Sequence, residues 1–184
     1  AIGSVGFGEE NQRLLEEAGA TVVFFRPLSV KTLRKIHLRT HRKVLVVDGH
    51  VGFVGGVCIS DDWLGNADEP RRWRETVVRV EGPVTRQLQA AYGRAWLEAT
   101  GELLAGKDLY PVNGAVGHAV CQVMGSTPGF ASSRARLSFL VAVGSAAKSL
   151  DITSAYFVLD GTARRALIDA VKRGVCVRLL LQGP

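Results

Sequence analysis

The stretch HRKVLVVDGHVGFVGG, residues 41–56, decides how the rest of the chain is read. KVLVVD at 43–48 is a short run rich in β-branched residues, Asp48-Gly49 is a turn pair, and VGFVGG at 51–56 returns. Together they predict a β-hairpin with Asp48 at its first turn position. With the strand beginning by His41, period-two alternation puts His41, Lys43 and Leu45 on one face and Arg42, Val44 and Val46 on the other. One imidazole and one ammonium then point the same way. That pairing suits a phosphate ester, because the imidazole can act as nucleophile or proton shuttle while the cation neutralises the non-bridging oxygens. Asp48 reads first as a turn and scaffold residue, since Asx side chains cap such turns. Gly55 and Gly56 allow backbone to approach the site or a neighbouring strand closely. Leu45 is apolar, so only the beginning of this face can border a polar site.

Outward from the hairpin, the chain reads as alternating helices and apolar strands. EENQRLLEEA at 9–18 is a helix ended by Gly19, followed by the strand TVVFF at 21–25 and a basic, irregular segment at 26–42. ETVVRV at 75–80 is a strand that Glu81-Gly82-Pro83 ends, and Pro83 opens a helix to about 104 with Ala91, Tyr92, Ala95 and Trp96 on its buried stripe. Residues 105–117 are Gly-rich and aperiodic and read as a linker. Then come a strand at 118–124, a loop at 126–133, an apolar helix at 134–150 and a strand at 151–158. A helix at 162–173 closed by Gly174 and a strand at 175–181 complete the pattern. The expected fold is α/β, a mixed sheet flanked by helices on both faces. Residues 1–104 form a first half with the hairpin, and 118–184 open a second βαβ-type unit.

Of 184 residues, 47% are apolar and 22% charged, which excludes intrinsic disorder. The formal charge is +6, and residues 26–48 hold seven basic side chains against one acidic. A patch of that kind implies a partner with negative groups: nucleic acid, phospholipid headgroup or phosphorylated metabolite. Cys58, Cys121 and Cys176 are too few for a disulfide scaffold and point to a reducing compartment. No apolar run reaches the roughly 18 to 20 residues that span a bilayer, and no secretory leader is visible. The chain starts without a lead-in and stops just after a strand-like run, so both ends read as cut from a longer one.

HRKVLVVD fits the HxKxxxxD motif of the phospholipase D superfamily, and VGFVGGVCISDDWLG resembles the downstream segment of its bacterial cardiolipin synthase-like branch. WRETVVRVEGPV at 73–84 is similar to the stretch that follows there, and SAYFVLDGTARRALIDAVKRGVCVRLLLQGP resembles the start of a second repeat half. The resemblance implies an active site built from two such motifs, one histidine forming a phosphohistidine and the other protonating the leaving alcohol. It gives His41 as nucleophile or acid, Lys43 as phosphate clamp and Asp48 as the motif carboxylate. Glu75 matches the acidic residue that fixes the tautomer of the histidine. The phosphate-binding set is Lys43, Gly55, Gly56, Cys58 and Ser60. No metal or other cofactor is implied, and no zinc spacing occurs.

Two departures stand out. Cys58 occupies the position where the family commonly has Asn, and a thiol is a weak donor, so Ser60 is the alternative hydroxyl. No second HxKxxxxD is present: two residues after His37, His50 and His118 stand Arg39, Gly52 and Val120. The chain therefore holds half an active site, completed by further chain or by a second copy, and is expected to be inactive by itself. The implied activity is phosphatidyl transfer from an anionic phospholipid such as phosphatidylglycerol, at the cytoplasmic side of a bacterial membrane, with peripheral membrane contact through Trp63, Trp73 and the basic window. The competing readings are a phospholipase, a nucleic-acid phosphodiesterase, and a non-catalytic phosphate-binding half.

Overall fold

The computed structural model describes residues 4–26, 40–126 and 134–183. The basic segment at 27–39 and the loop at 127–133 lie outside the described residues. The fold is α/β, and the chain divides into two compact units, Ala1–Val123 and Met124–Pro184.

In the first unit, a 3-10 turn at Val5–Phe7 leads into helix α1, Gly8–Glu17. Its acidic Glu9 and Glu10 sit in the first turn, where they complement the helix dipole. Three antiparallel strands follow in the order β1-β2-β3: β1 is Val44–Val47, β2 Val51–Gly55 and β3 Val77–Glu81. The hairpin stands in the expected place, with Val44 opposite Val54 and Val47 opposite Val51. Asp48 and Gly49 both take positive φ, 51° and 68°, and the His50 N–H donates to the Val47 carbonyl at 3.0 Å. That is the mirror-type turn whose twist matches the strands it joins.

Helix α2, Val84–Thr100, begins after Pro83 and lies over one face of this sheet. Gly52 makes the fit possible, because a Cβ there would stand 2.6 Å from Cδ1 of the fully buried Leu88. The buried stripe is Val84, Thr85, Leu88, Gln89 and Gly93, which corrects the expected one. Ala91, Ala95 and Trp96 are half-buried and Tyr92 is exposed. Seventeen helical residues run about 25 Å, whereas five strand residues run about 17 Å, so the C-terminal turns of α2 extend past the sheet. The helix also stops at Thr100, short of 104. Gly101 turns left-handed at φ 79° and donates to the Leu97 carbonyl at 2.9 Å, while the Thr100 hydroxyl donates to the Trp96 carbonyl.

Two expected strands are absent. Thr21–Phe25 and His118–Met124 have no helix or strand assignment, and no described strand pairs with either. A strand exists only through its ladder partner, so apolar composition alone cannot hold one. Val23, Phe24 and Val120 are accordingly exposed.

The second unit is a βαβ arrangement preceded by a helix. Helix α3 is Arg134–Ser145, β4 Ser149–Ser154, α4 Gly161–Lys172 and β5 Cys176–Leu181. β4 and β5 pair in parallel from Ser149 opposite Cys176 to Ser154 opposite Leu181. The helix expected at 134–150 ends at Ser145, where the Arg173 guanidinium donates to the Val143 and Gly144 carbonyls at 3.0 and 3.2 Å. The strand expected at 151–158 starts and ends earlier because its register with β5 begins at Ser149. Asp160 caps α4, its Oδ1 accepting from the Thr162 and Ala163 N–H groups at 2.8 Å each. Val143, Leu167, Ala170 and Val175 form the buried core, with Phe139, Leu150, Ile152 and Val177 packed around it.

Candidate functional site

His41 and Lys43 come together at the head of β1. The Lys43 ammonium stands 3.1 Å from Nδ1 and 3.2 Å from Nε2 of the His41 ring, and it donates to the His41 carbonyl at 3.3 Å. The two side chains lie side by side, although β1 begins at Val44 and does not reach back to His41 as the alternation argument required. An ammonium only donates, so a ring nitrogen that it engages must offer a lone pair. His41 is exposed and Lys43 half-buried. Leu45, next along the same face, is 57% exposed, and it shares a cross-strand row with Phe53 and Arg79. The face that bears the imidazole is thus the one turned away from α2.

Asp48 lies at the other end of the strand, seven residues from His41 and on the order of 20 Å along an extended chain. Its backbone, at φ 51°, makes the turn. The Glu75 carboxylate lies against Gly56: a Cβ on that glycine would fall 2.6 Å from Oε1. Gly55 does the same for the β3 backbone, where a Cβ would stand 2.8 Å from the Val77 Cα. The close approach that the glycine pair permits is therefore to β3 and the residue leading into it. No hydrogen bond joins Glu75 to His41. Cys58 is half-buried with its Sγ 3.9 Å from the Gly56 carbonyl. Ser60 caps a short 3-10 turn at Asp61–Trp63, donating to Asp62 Oδ2 at 3.3 Å and accepting from the Asp62 N–H.

The turn is held by residues that sequence reading did not single out. Thr85, fully buried, has its hydroxyl 2.9 Å from both the Gly49 and Gly82 carbonyls. Asn113 Nδ2 donates to the Gly49 carbonyl at 2.8 Å and to Thr85 Oγ1 at 2.7 Å, while its Oδ1 faces His50 Nδ1 at 2.6 Å. That last contact requires a proton on Nδ1 of His50. The Pro111 ring covers Gly49, where a Cβ would come within 2.8 Å of Cγ. Residues 109–114, within the stretch that reads as a linker, thus strap the turn to the start of α2. The sequence separations of 63 and 64 residues leave no local signal for it.

Trp63 and Trp73 stack at 6.2 Å between centroids with planes 17° apart, and Trp73 is 49% exposed. Among the described residues, no three His, Cys, Asp or Glu side chains converge as a metal would need. Nor is any described helix long and apolar enough to cross a membrane.

Comparison with known proteins gives one consistent result. The chain is 39% identical over 183 residues, 98% of its length, to cardiolipin synthase A of Pseudomonas fluorescens (strain SBW25), and covers 37% of that protein. It is 41% identical over 149 residues to cardiolipin synthase A of Pseudomonas putida (strain GB-1), which is 80% of this chain and 30% of that one. The chain is therefore homologous to part of cardiolipin synthase A over most of its own length, and spans about a third of these relatives. No family model matches it, and no solved structure does.

Proposed function

We propose that this chain supplies one half of a two-part active site for phosphatidyl transfer. The observation that carries the reading is the contact between Lys43 and His41 at the head of β1, in a chain homologous to cardiolipin synthase A. His41 acts as nucleophile or as acid, and Lys43 moves from the imidazole to the non-bridging oxygens of a phosphodiester as negative charge gathers there. As nucleophile, the unprotonated ring nitrogen forms a bond to phosphorus and the bond to the glycerol oxygen breaks, that oxygen taking a proton from the second half-site. The hydroxyl of another phosphatidylglycerol then attacks phosphorus and displaces the histidine, its proton returning to the second half-site, giving cardiolipin. Water in its place gives hydrolysis.

Glu75 is assigned to fix the imidazole tautomer once substrate is bound, and Asp48 to hold the turn. Gly55, Gly56, Cys58 and Ser60 border the phosphate. The second half-site comes from further chain or from a second copy, at the cytoplasmic side of a bacterial membrane. The test is turnover of phosphatidylglycerol, compared with nicking of DNA, by the polypeptide in graded concentrations. Lipid turnover without DNA turnover supports the reading, and a quadratic rise with concentration identifies a second copy as the partner half. DNA turnover without lipid turnover overturns it in favour of a nuclease.

A further inference from the structure

The second unit holds eight basic side chains against three acidic, a formal +5 of the whole chain's +6. Helix α4 carries a net +2 of that excess, on its outer side. Ala163, Leu167 and Ala170 are buried, and the opposite face carries Arg164, Arg165, Ile168, Val171 and Lys172, with Asp169 its one acid. Ile168 is 48% and Val171 55% exposed, although both are aliphatic. Helical spacing sets Arg164 one turn before Ile168 and Lys172 one turn after it, so an apolar spot stands between cations.

We infer that this face of α4 is a docking surface for an anionic lipid bilayer. Charge complementarity favours the phosphate layer of the headgroups, and the two exposed aliphatic side chains beside the cations can reach the acyl boundary. Nucleic acid would satisfy the arginines and lysine and leave Ile168 and Val171 without a contact. Arg164, Arg165 and Lys172 engage lipid phosphates while Ile168 and Val171 enter the acyl boundary. The residues of this face belong to the second unit and include neither His41 nor Lys43, so the inference stands or falls independently of the phosphatidyl-transfer reading.

The test is co-sedimentation of the 184-residue chain with vesicles of equal phosphatidylglycerol and phosphatidylcholine, against phosphatidylcholine alone. Binding is expected only to the anionic vesicles. Each cation is worth about fivefold, so the Arg164→Gln, Arg165→Gln, Lys172→Gln variant should bind on the order of 100-fold more weakly. Ile168→Asn with Val171→Asn keeps the charge and should lose about tenfold. Hydrogen exchange read in parallel should show amides 164–172 protected by anionic vesicles. Triple-variant binding within twofold of the parent, equal binding to both vesicles, or no protection of α4 overturns the inference. So does loss of DNA binding with vesicle binding untouched.

Discussion

In the first unit, three antiparallel strands lean on a single helix through Gly52 and Leu88, and a polar clamp of Thr85, Asn113 and His50 fixes the turn at one end. In the second, two parallel strands are covered through an apolar core of Val143, Leu167, Ala170 and Val175, with ion pairs at its margin. The first therefore has little apolar burial to hold it and relies on hydrogen bonds whose loss strands a buried partner. The second relies on packing. The imidazole and ammonium sit in the unit with the polar clamp, just ahead of strand β1, whose far end that clamp immobilises.

The sharpest way to break this comparison is at Lys43. Lys43→Met removes the proposed phosphate clamp without touching the core, and transfer by the complete site is expected to fall about 100- to 1000-fold with an unchanged circular dichroism spectrum. Next come the two cores. Leu88→Ala should destabilise the first unit by about 2–5 kcal/mol, and Leu167→Ala the second by a similar amount. Hydrogen exchange should show Leu88→Ala loosening amides of β1, β2 and α2 while β4 and β5 stay protected, and Leu167→Ala doing the reverse. Equal loosening in both units would show that they are not separate.

Asn113→Ala is smaller. It leaves Thr85 and the Gly49 carbonyl short of a donor, and should cost about 1–3 kcal/mol in urea unfolding of the first unit. A neutral result would remove the clamp from the account. The smallest effect is at Asp160, whose carboxyl is lowered from 3.8 to about 2, chiefly by the hydrogen bond from Arg136 and then by the Ala163 N–H. A depressed carboxylate stabilises the fold above its unfolded pKa, and that contribution fades as pH falls from about 4 towards 2. Asp160→Asn should therefore lower the melting temperature at pH 7 and match the parent near pH 2. A constant difference across that range would contradict the assignment.

What was legible in the sequence was local. The Asp48-Gly49 turn and the Gly174 stop are signals spelled out within four residues, and the elements they bound are present, whereas the Gly101 stop and the Asp160 cap, equally local, went unread. His41 and Lys43 are adjacent as expected, but ahead of the strand and not within it, so strand alternation is not what brings them together. Thr21–Phe25 and His118–Met124 carry strand composition without a ladder partner, and a sequence window does not contain the partner. The strap of Pro111 and Asn113 escaped for the same reason, since its contacts reach back more than sixty residues. Glycine content marked 105–117 as irregular, and irregular backbone is equally suited to clamping a turn.

The most direct test of the account is phosphatidyl transfer by the assembly in which both half-sites are present, with His41→Asn, a change of similar size at an exposed position. The account predicts a loss of at least about a thousandfold with fold and assembly intact. Turnover within tenfold of the parent would contradict it and remove His41 from the chemistry.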